Sequence, residues 1–290
     1  MNIEWRRRLV WSALIAYSVA LGAAPTIAVA APRPSGLCMN YGHDSYVHDL
    51  SPNGTVAQDF RRLKSAGVMC IRIAYRSFND VQTEALAQFA VARGFYVISG
   101  GEWGMLDSAQ LPQYRAQVLT QAKWAEANGI AQFSVGNEQE ARLSGISFSR
   151  WVNEMVALAA DVRAFFSGTV SYEAGGTFAD DWATVNVGSL DLLGLNTYGG
   201  YAHNAHSLQE NIAAHGMSHV YLSETNCDVF NVELCKTDEG LATEMKGDLL
   251  KLIAEYPQTA FYLYTWRAGG TDFAAGVVNY PKTLAALGIK

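Results

Sequence analysis

From Ser35 onward, short runs rich in Val, Ile, Leu and Tyr alternate with longer stretches in which apolar residues recur at helical spacing. The strand-like runs are GLCMNYG from Gly36, VMCIRIAY from Val68, FYVISGG from Phe95, AQFSVGN from Ala131, TVSYEA from Thr169, DLLGLNTY from Asp191, HVYLSE from His219 and AFYLYTW from Ala260. Helices are expected at Gly54 to Ala66, Val81 to Arg93, Ala109 to Asn128, Phe148 to Phe166 and Gly240 to Glu255. Three of them end at Ala66-Gly67, Arg93-Gly94 and Asn128-Gly129, where a glycine serves as C-terminal cap just before the next strand. The unit from Gly176 to Val187 is the least regular. No internal linker, low-complexity tract or repeat stands out beyond the βα alternation.

Eight strands alternating with helices predict an α/β fold, a (β/α)8 TIM barrel in a single domain, which commonly takes about 250 residues. In such barrels chemistry sits at the C-terminal ends of the strands. Polar and aromatic residues gather there: Asn40, Tyr41 and His43; Arg72 and Tyr75; Glu102 and Trp103; Asn137 and Glu138; Glu173; Asn196 and Tyr198; Glu224; Trp266 and Arg267. A purely structural barrel has little reason to crowd so many hydrogen-bonding groups on one rim.

Composition narrows the class without changing the fold. The 290 residues are 50% apolar and 17% charged, the balance of a globular protein, and the net charge of -6 is spread along the chain. The one basic cluster, Arg6-Arg7-Arg8, lies at the N-terminus, which argues against a nucleic-acid surface. That cluster, the apolar run from Leu9 to Ala24 and the small residues Ala28-Val29-Ala30 read as a secretory signal peptide over residues 1–30, with the barrel over 31–290. The alternative, an uncleaved membrane anchor, has a run short of the roughly 20 residues a span needs. The expectation is a secreted or periplasmic protein, monomeric, with no membrane association after cleavage. Export permits disulfides, and of the four cysteines Cys227 and Cys235, close together in a loop-like stretch, are the first candidates for a bridge. Cys38 and Cys70, at the starts of apolar strands, read as buried free thiols.

Two carboxylates stand out. Glu138 ends the fourth strand and Glu224 the seventh, three βα repeats apart, so both are expected to face one central cavity. Glycosidic cleavage needs such a pair, held about 5 to 5.5 Å apart in retaining enzymes. The stretch Phe133 to Glu140, FSVGNEQE, resembles the fourth-strand Asn-Glu signature of glycoside hydrolase clan A, and His219 to Thr225, HVYLSET, resembles the seventh-strand nucleophile motif of that clan. Within the clan the motifs are most similar to those of family 17, the β-1,3-glucanases and related transglycosylases. Asn40-Tyr41-Gly42 ends the first strand, Arg72 lies in the second, Val135 to Glu138 reads Val-Gly-Asn-Glu, Asn196 and Tyr198 form Asn-x-Tyr, and Ser223 to Thr225 reads Ser-Glu-Thr. The likeness departs at Asn226-Cys227, where the family has Gly-Trp, and at Thr265-Trp266-Arg267 in the eighth strand.

The resemblance implies a retaining, endo-acting glycoside hydrolase on a β-linked polysaccharide, with Glu138 as acid/base, Glu224 as nucleophile and Asn137 on the sugar 2-hydroxyl. Glu138 is expected to be kept protonated by burial and by the Glu224 anion, and Glu224 to be held ionised by Arg72 and the Tyr198 hydroxyl. Asn40 joins them as a substrate-side group, and Trp266 is expected to offer its indole face to a sugar ring. Read alone, a strand-end glutamate is more often a salt-bridge partner than a catalyst, and Tyr198 or Trp266 could be core packing. Glu140 reads as a rim hydrogen bonder; Glu102, Trp103, Glu173, His43 and Asp272 read as loop structure or outer subsites, and His203 and His206 as loop histidines. Two other readings of the same barrel are a transglycosylase, in which a sugar hydroxyl takes the covalent intermediate, and a carbohydrate-binding barrel without catalysis. A metal-dependent hydrolase would need a first-strand His-x-His set that the sequence lacks. No phosphate-binding or nucleotide motif appears, so no cofactor and no metal are expected.

Overall fold

A computed structural model describes residues 32–41, 49–74, 80–100, 104–227, 232–266 and 276–290. The expected leader at residues 1–30 lies outside them, as do His43, Tyr75, Glu102, Trp103, Arg267 and Asp272. Eight parallel strands close into a barrel: β1 (Gly36–Asn40), β2 (Cys70–Ala74), β3 (Tyr96–Gly100), β4 (Gln132–Asn137), β5 (Thr169–Gly175), β6 (Leu192–Asn196), β7 (Val220–Thr225) and β8 (Ala260–Leu263), with β1 paired to β8. Every expected strand forms, within a few residues of its expected limits.

Helices follow the strands: α1 (Thr55–Ser65), α2 (Val81–Val91), α3 (Leu111–Ala127), α4 (Phe148–Arg163), α5 (Ala179–Trp182), α6 (Gly200–His215), α7 (Asp238–Glu244), α8 (Leu250–Glu255) and α9 (Pro281–Ala286). Their starts are marked by chemistry that satisfies the first backbone N–H groups. The Asp80 carboxylate accepts from the amides of Gln82 and Thr83, Ser147 from Arg150, and Thr237 from Gly240. Gly67 and Gly129 take positive φ values of 82° and 68° after α1 and α3, the left-handed conformation that stops a helix and suits glycine. The stretch after β5 forms only a 3-10 turn, Gly176–Phe178, and the one-turn α5, in keeping with its irregular pattern. One helix expected over Gly240 to Glu255 is three consecutive segments, with a π-helical turn at Met245–Leu249 between α7 and α8. A two-residue strand pair, Leu106–Asp107 with Leu143–Ser144, lies outside the barrel.

The period-two alternation of the strands divides the core. Outward residues such as Met39, Ile71, Val97, Phe133, Val170, Leu193, Leu222 and Phe261 pack under the helices in one continuous apolar layer. Inward residues Cys38, Cys70, Tyr96, Ile98, Leu192, Tyr221, Ala260 and Tyr262 fill the barrel floor. Cys38 and Cys70 are not free thiols but a disulfide. Met39 pairs with Ile71, so the two cysteines stand level on neighbouring strands with Cα atoms 5.0 Å apart, well inside bridging range. Cys227 and Cys235 form a second bridge. Among the described residues no helix is long and apolar enough to cross a membrane.

Candidate active site

Two departures from regular pairing shape the barrel mouth. In β4, Ser134 pairs with Ser171 and Asn137 with Glu173, so one extra residue is accommodated between them. Strict alternation from Ser134 would turn Gly136 inward. The irregularity instead brings Asn137 level with Glu173, and Gly136 abuts Tyr114 and Tyr172, where a Cβ would come within 2.8 Å of both. In β7, Leu195 pairs with Leu222 and Asn196 with Glu224, again with one residue to spare, so Glu224 arrives beside Asn196. Glu138, just past β4, sits at φ 53°, ψ 26°, the one non-glycine residue with positive φ among the described residues. A bulky residue held in the left-handed region at a strand end marks a position fixed by its surroundings.

Arg72, inside the barrel and almost fully buried, organises the mouth. Its Nη1 donates to Asn40 Oδ1 (2.9 Å) and Glu224 Oε1 (2.6 Å), and its Nη2 to Asn137 Oδ1 (3.0 Å) and Glu173 Oε2 (2.5 Å). The other oxygen of Glu224 accepts from the Tyr198 hydroxyl at 2.5 Å. Asn196 Nδ2 donates both to Asn137 Oδ1 (2.9 Å) and to Glu138 Oε1 (2.8 Å), while Ser223 Oγ donates to Asn196 Oδ1 (2.6 Å). Glu138 and Glu224 are therefore linked by one run of hydrogen bonds through Asn196, Asn137 and Arg72. Asn40 Nδ2 donates to the carbonyl of Ser223 (3.0 Å), tying β1 to β7.

The two carboxylates have different company. Glu224 is buried, with one cation and one hydroxyl directed at it; Glu138 is half-buried, with a neutral amide on it, and lines a cleft of about 310 Å³ together with Gly176, Thr177, Asn196, Tyr198 and His203. Burial raises the proton affinity of both. For Glu138 the Asn196 hydrogen bond opposes this and the neighbouring Glu140 adds to it. For Glu224 burial is opposed by Arg72 and Tyr198 and reinforced by Glu138. Burial alone would lower Arg72; Glu173 first and Glu224 second outweigh it and hold the guanidinium charged. Burial, then Glu224 and Glu138, raise Tyr198, which stays a neutral donor.

Asn40, Arg72, Asn137, Glu138, Tyr198 and Glu224 are thus brought to one mouth. Trp266 is not. Strand pairing of β8 stops at Leu263, so alternation does not carry to Trp266, and its indole lies fully buried in the layer under the helices with the Arg62 guanidinium 5.7 Å from the ring centre. It has no face for a sugar. Tyr264, two residues earlier and passed over in the sequence, is half-exposed and stands edge-on to Tyr198, with ring centres 6.4 Å apart. A cis peptide joins it to Thr265. Glu140 is no rim residue: it is buried and accepts from the hydroxyl of Tyr172, the amide of Gly175 (2.6 Å) and the indole of Trp182 (3.2 Å). Tyr41 faces outward, its ring 5.1 Å from that of Phe60 and its hydroxyl on Asp59. Glu173, read as loop structure, is wholly buried in the barrel interior. Its position in TVSYEA, two residues past the inward Ser171, carried that signal. Among the described residues no group of three or more His, Cys, Asp or Glu side chains is placed to hold a metal ion.

No family model and no curated protein matches the sequence. Solved structures do. A GH113 beta-1,4-mannanase superposes with a TM-score of 0.63 at 16% identity, covering 88% of this chain and 99% of that one. The GH113 beta-mannanase of Alicyclobacillus acidocaldarius in complex with ManMIm gives 0.60 at 13% identity, over 87% and 95%. The catalytic domain of Thermobifida fusca endoglucanase Cel5A gives 0.57 at 15% identity, over 87% and 92%. At these identities the likeness establishes the fold: the chain is similar to these enzymes in being a (β/α)8 barrel over nearly its whole described length.

Proposed function

We propose that this chain is an exported retaining glycoside hydrolase that cleaves a β-linked polysaccharide, with Glu224 as nucleophile and Glu138 as acid/base. The observation that carries the reading is the inequality of two carboxylates at one mouth. Glu224 is aimed by an arginine and a tyrosine, whereas Glu138, among the described residues, takes its hydrogen bond from a neutral amide and borders the cleft. In the reaction Glu138 gives its proton to the departing glycosidic oxygen as Glu224 Oε1 or Oε2 attacks the anomeric carbon. With the Glu224 charge consumed in the covalent bond, Glu138 takes a proton from water, and that water releases the sugar with its original anomeric configuration. Asn137, whose Oδ1 is held by Arg72 and Asn196, offers its Nδ2 as the donor for the sugar 2-hydroxyl, and the half-exposed Tyr264 ring takes the stacking role first expected of Trp266.

Two further features support parts of the reading. Two disulfides suit an oxidising compartment, which agrees with export. The motif likeness to family 17 puts β-1,3-glucan among the substrates to test, and the similar structures add β-1,4-mannan and cellulose. The test is release of reducing ends from these polymers and of phenol from aryl β-glycosides, with product anomers read by NMR. The expected result is hydrolysis with retention of configuration by the intact chain, turnover abolished in Glu224→Ala, and turnover recovered there by azide, whose single displacement gives the α-glycosyl azide. Inverted product, or undiminished turnover in Glu224→Ala, overturns it.

A further inference from the structure

Glu173 is a buried carboxylate for which the reaction just described has no use. It does not border the cleft; it sits inside β5, level with Asn137, with no exposed surface. A charge in such a place is tolerated only when paired, and apolar replacements of buried ion pairs are often no less stable, so stability alone gives little reason for it. Its two oxygens are fully engaged. Oε2 takes Arg72 Nη2 at 2.5 Å, and Oε1 takes the Tyr221 hydroxyl at 3.2 Å. Below that, Gln132 Nε2 donates to the Tyr221 oxygen (3.1 Å) and Gln132 Oε1 accepts from the Tyr96 hydroxyl (3.2 Å), so Glu173 is braced from the barrel floor.

The arrangement gives one cation two anions at nearly equal distance, 2.5 Å to Glu173 and 2.6 Å to Glu224. Were Glu224 the sole partner of Arg72, the guanidinium would neutralise it fully. A carboxylate so strongly stabilised is a weak base and a weak nucleophile. We propose that Glu173 is a positioning residue that competes with Glu224 for the charge of Arg72, and by drawing that charge toward the barrel floor keeps the Glu224 carboxylate reactive. This rests on the hydrolase reading only for its catalytic consequence; the electrostatic part stands on the geometry alone. A purely structural Glu173 would hold Arg72 in place, a task the isosteric glutamine can share, and would leave the ionisation of Glu224 unaltered.

The test therefore has two arms. Carboxyl carbons of 13C-labelled glutamate are titrated by NMR in the full chain and in Glu173→Gln, with the Glu224 signal assigned by its loss in Glu224→Gln. In parallel, kcat and KM for an aryl β-glycoside are followed with pH. Removal of the Glu173 charge should lower the Glu224 midpoint by about one pH unit, because the competing anion is gone and Arg72 is left to Glu224. The acid limb of the pH profile should move down with it, and kcat should fall about tenfold while KM stays within about twofold. An unmoved Glu224 midpoint overturns the inference. Loss of the wild-type reaction on every glycoside, with the midpoint shift present, would overturn the hydrolase reading and uphold the competition. Should Glu173→Gln fail to fold, Tyr221→Phe removes a hydrogen bond from Glu173 and leaves it the stronger rival for Arg72, so the Glu224 midpoint should shift the opposite way by a smaller amount, and no shift there overturns the inference equally.

Discussion

On the floor of the barrel, Cys38, Cys70, Tyr96, Ile98, Leu192, Tyr221, Ala260 and Tyr262 pack against one another; at its mouth, Asn40, Arg72, Asn137, Glu173, Asn196 and Glu224 are joined by hydrogen bonds. Both layers come from the inward positions of the same strands. The floor closes the barrel with apolar surface and a covalent link. The mouth buries two carboxylates around a single guanidinium, an arrangement that burial itself opposes. The difference teaches which link each residue serves: the floor answers for folding, and the mouth gives up stability to hold charge where chemistry would use it.

The sharpest way to break this division lies on β7. Glu224→Ala should lower kcat/KM on an aryl β-glycoside by about 10⁴-fold or more, as loss of a nucleophile does, while the urea midpoint stays level or rises. A loss of folding in place of activity would place Glu224 among the structural residues. Removal of the floor disulfide with Cys38→Ala and Cys70→Ala should do the converse. The loop of 32 residues predicts about 3.7 kcal/mol of lost stability by the loop-closure relation, against about 2.5 kcal/mol for the 8-residue loop between Cys227 and Cys235. Urea unfolding of the two double variants measures both, and kcat of the folded protein should not change for the first. Leu222→Ala, two residues before Glu224 but facing the helices, should cost about 3 kcal/mol through its cavity with kcat of the folded fraction preserved.

The sequence carried the two layers unequally. Eight strands and their helices were legible because each strand keeps its apolar outward residues at period two, as Val97, Val170 and Leu222 do. Most of the mouth was legible because Asn40, Arg72, Asn137, Glu138, Tyr198 and Glu224 stand at strand ends in a recurring pattern. What alternation could not convey is where it stops. The extra residues in β4 and β7 turn Asn137 and Glu224 inward, and the end of pairing at Leu263 sends Trp266 outward and leaves Tyr264 at the rim. The floor disulfide was missed for a related reason: Cys38 and Cys70 become neighbours only through the register of β1 on β2. Glu173 was misread because a charged residue inside a strand looks like a rim residue until its partner Arg72 is placed across the barrel.

A smaller effect separates the two oxygens of Glu224. Tyr198→Phe removes a hydrogen bond to a charged group, worth about 1.5 to 3 kcal/mol, without altering the ring. Because the hydroxyl stabilises the Glu224 anion, its loss should raise the Glu224 proton affinity. The acid limb of the kcat/KM profile should then move to higher pH, opposite to the shift expected of Glu173→Gln. If both variants move the limb the same way, Arg72 and Tyr198 are not independent supports of one carboxylate.

The least effect expected is one of pH on folding, and its sign distinguishes burial from pairing. Burial raises Glu138, Glu140, Glu173 and Glu224 above the ordinary glutamate value of 4.5, against the hydrogen bonds that oppose it. A carboxyl raised in the folded state binds protons that the unfolded chain has already released. Its contribution to stability is complete below the unfolded value and is lost as pH rises through the folded one. The unfolding free energy measured in urea upward from about pH 5 should therefore decline, by up to about 1.4 kcal/mol for each pH unit by which a group is raised. Glu140→Gln removes one of the four and should flatten the decline without moving the acid limb of activity. A midpoint that climbs between pH 5 and pH 7 would mean that Arg72 and the tyrosines more than offset burial, and the mouth would then be as stabilising as the floor.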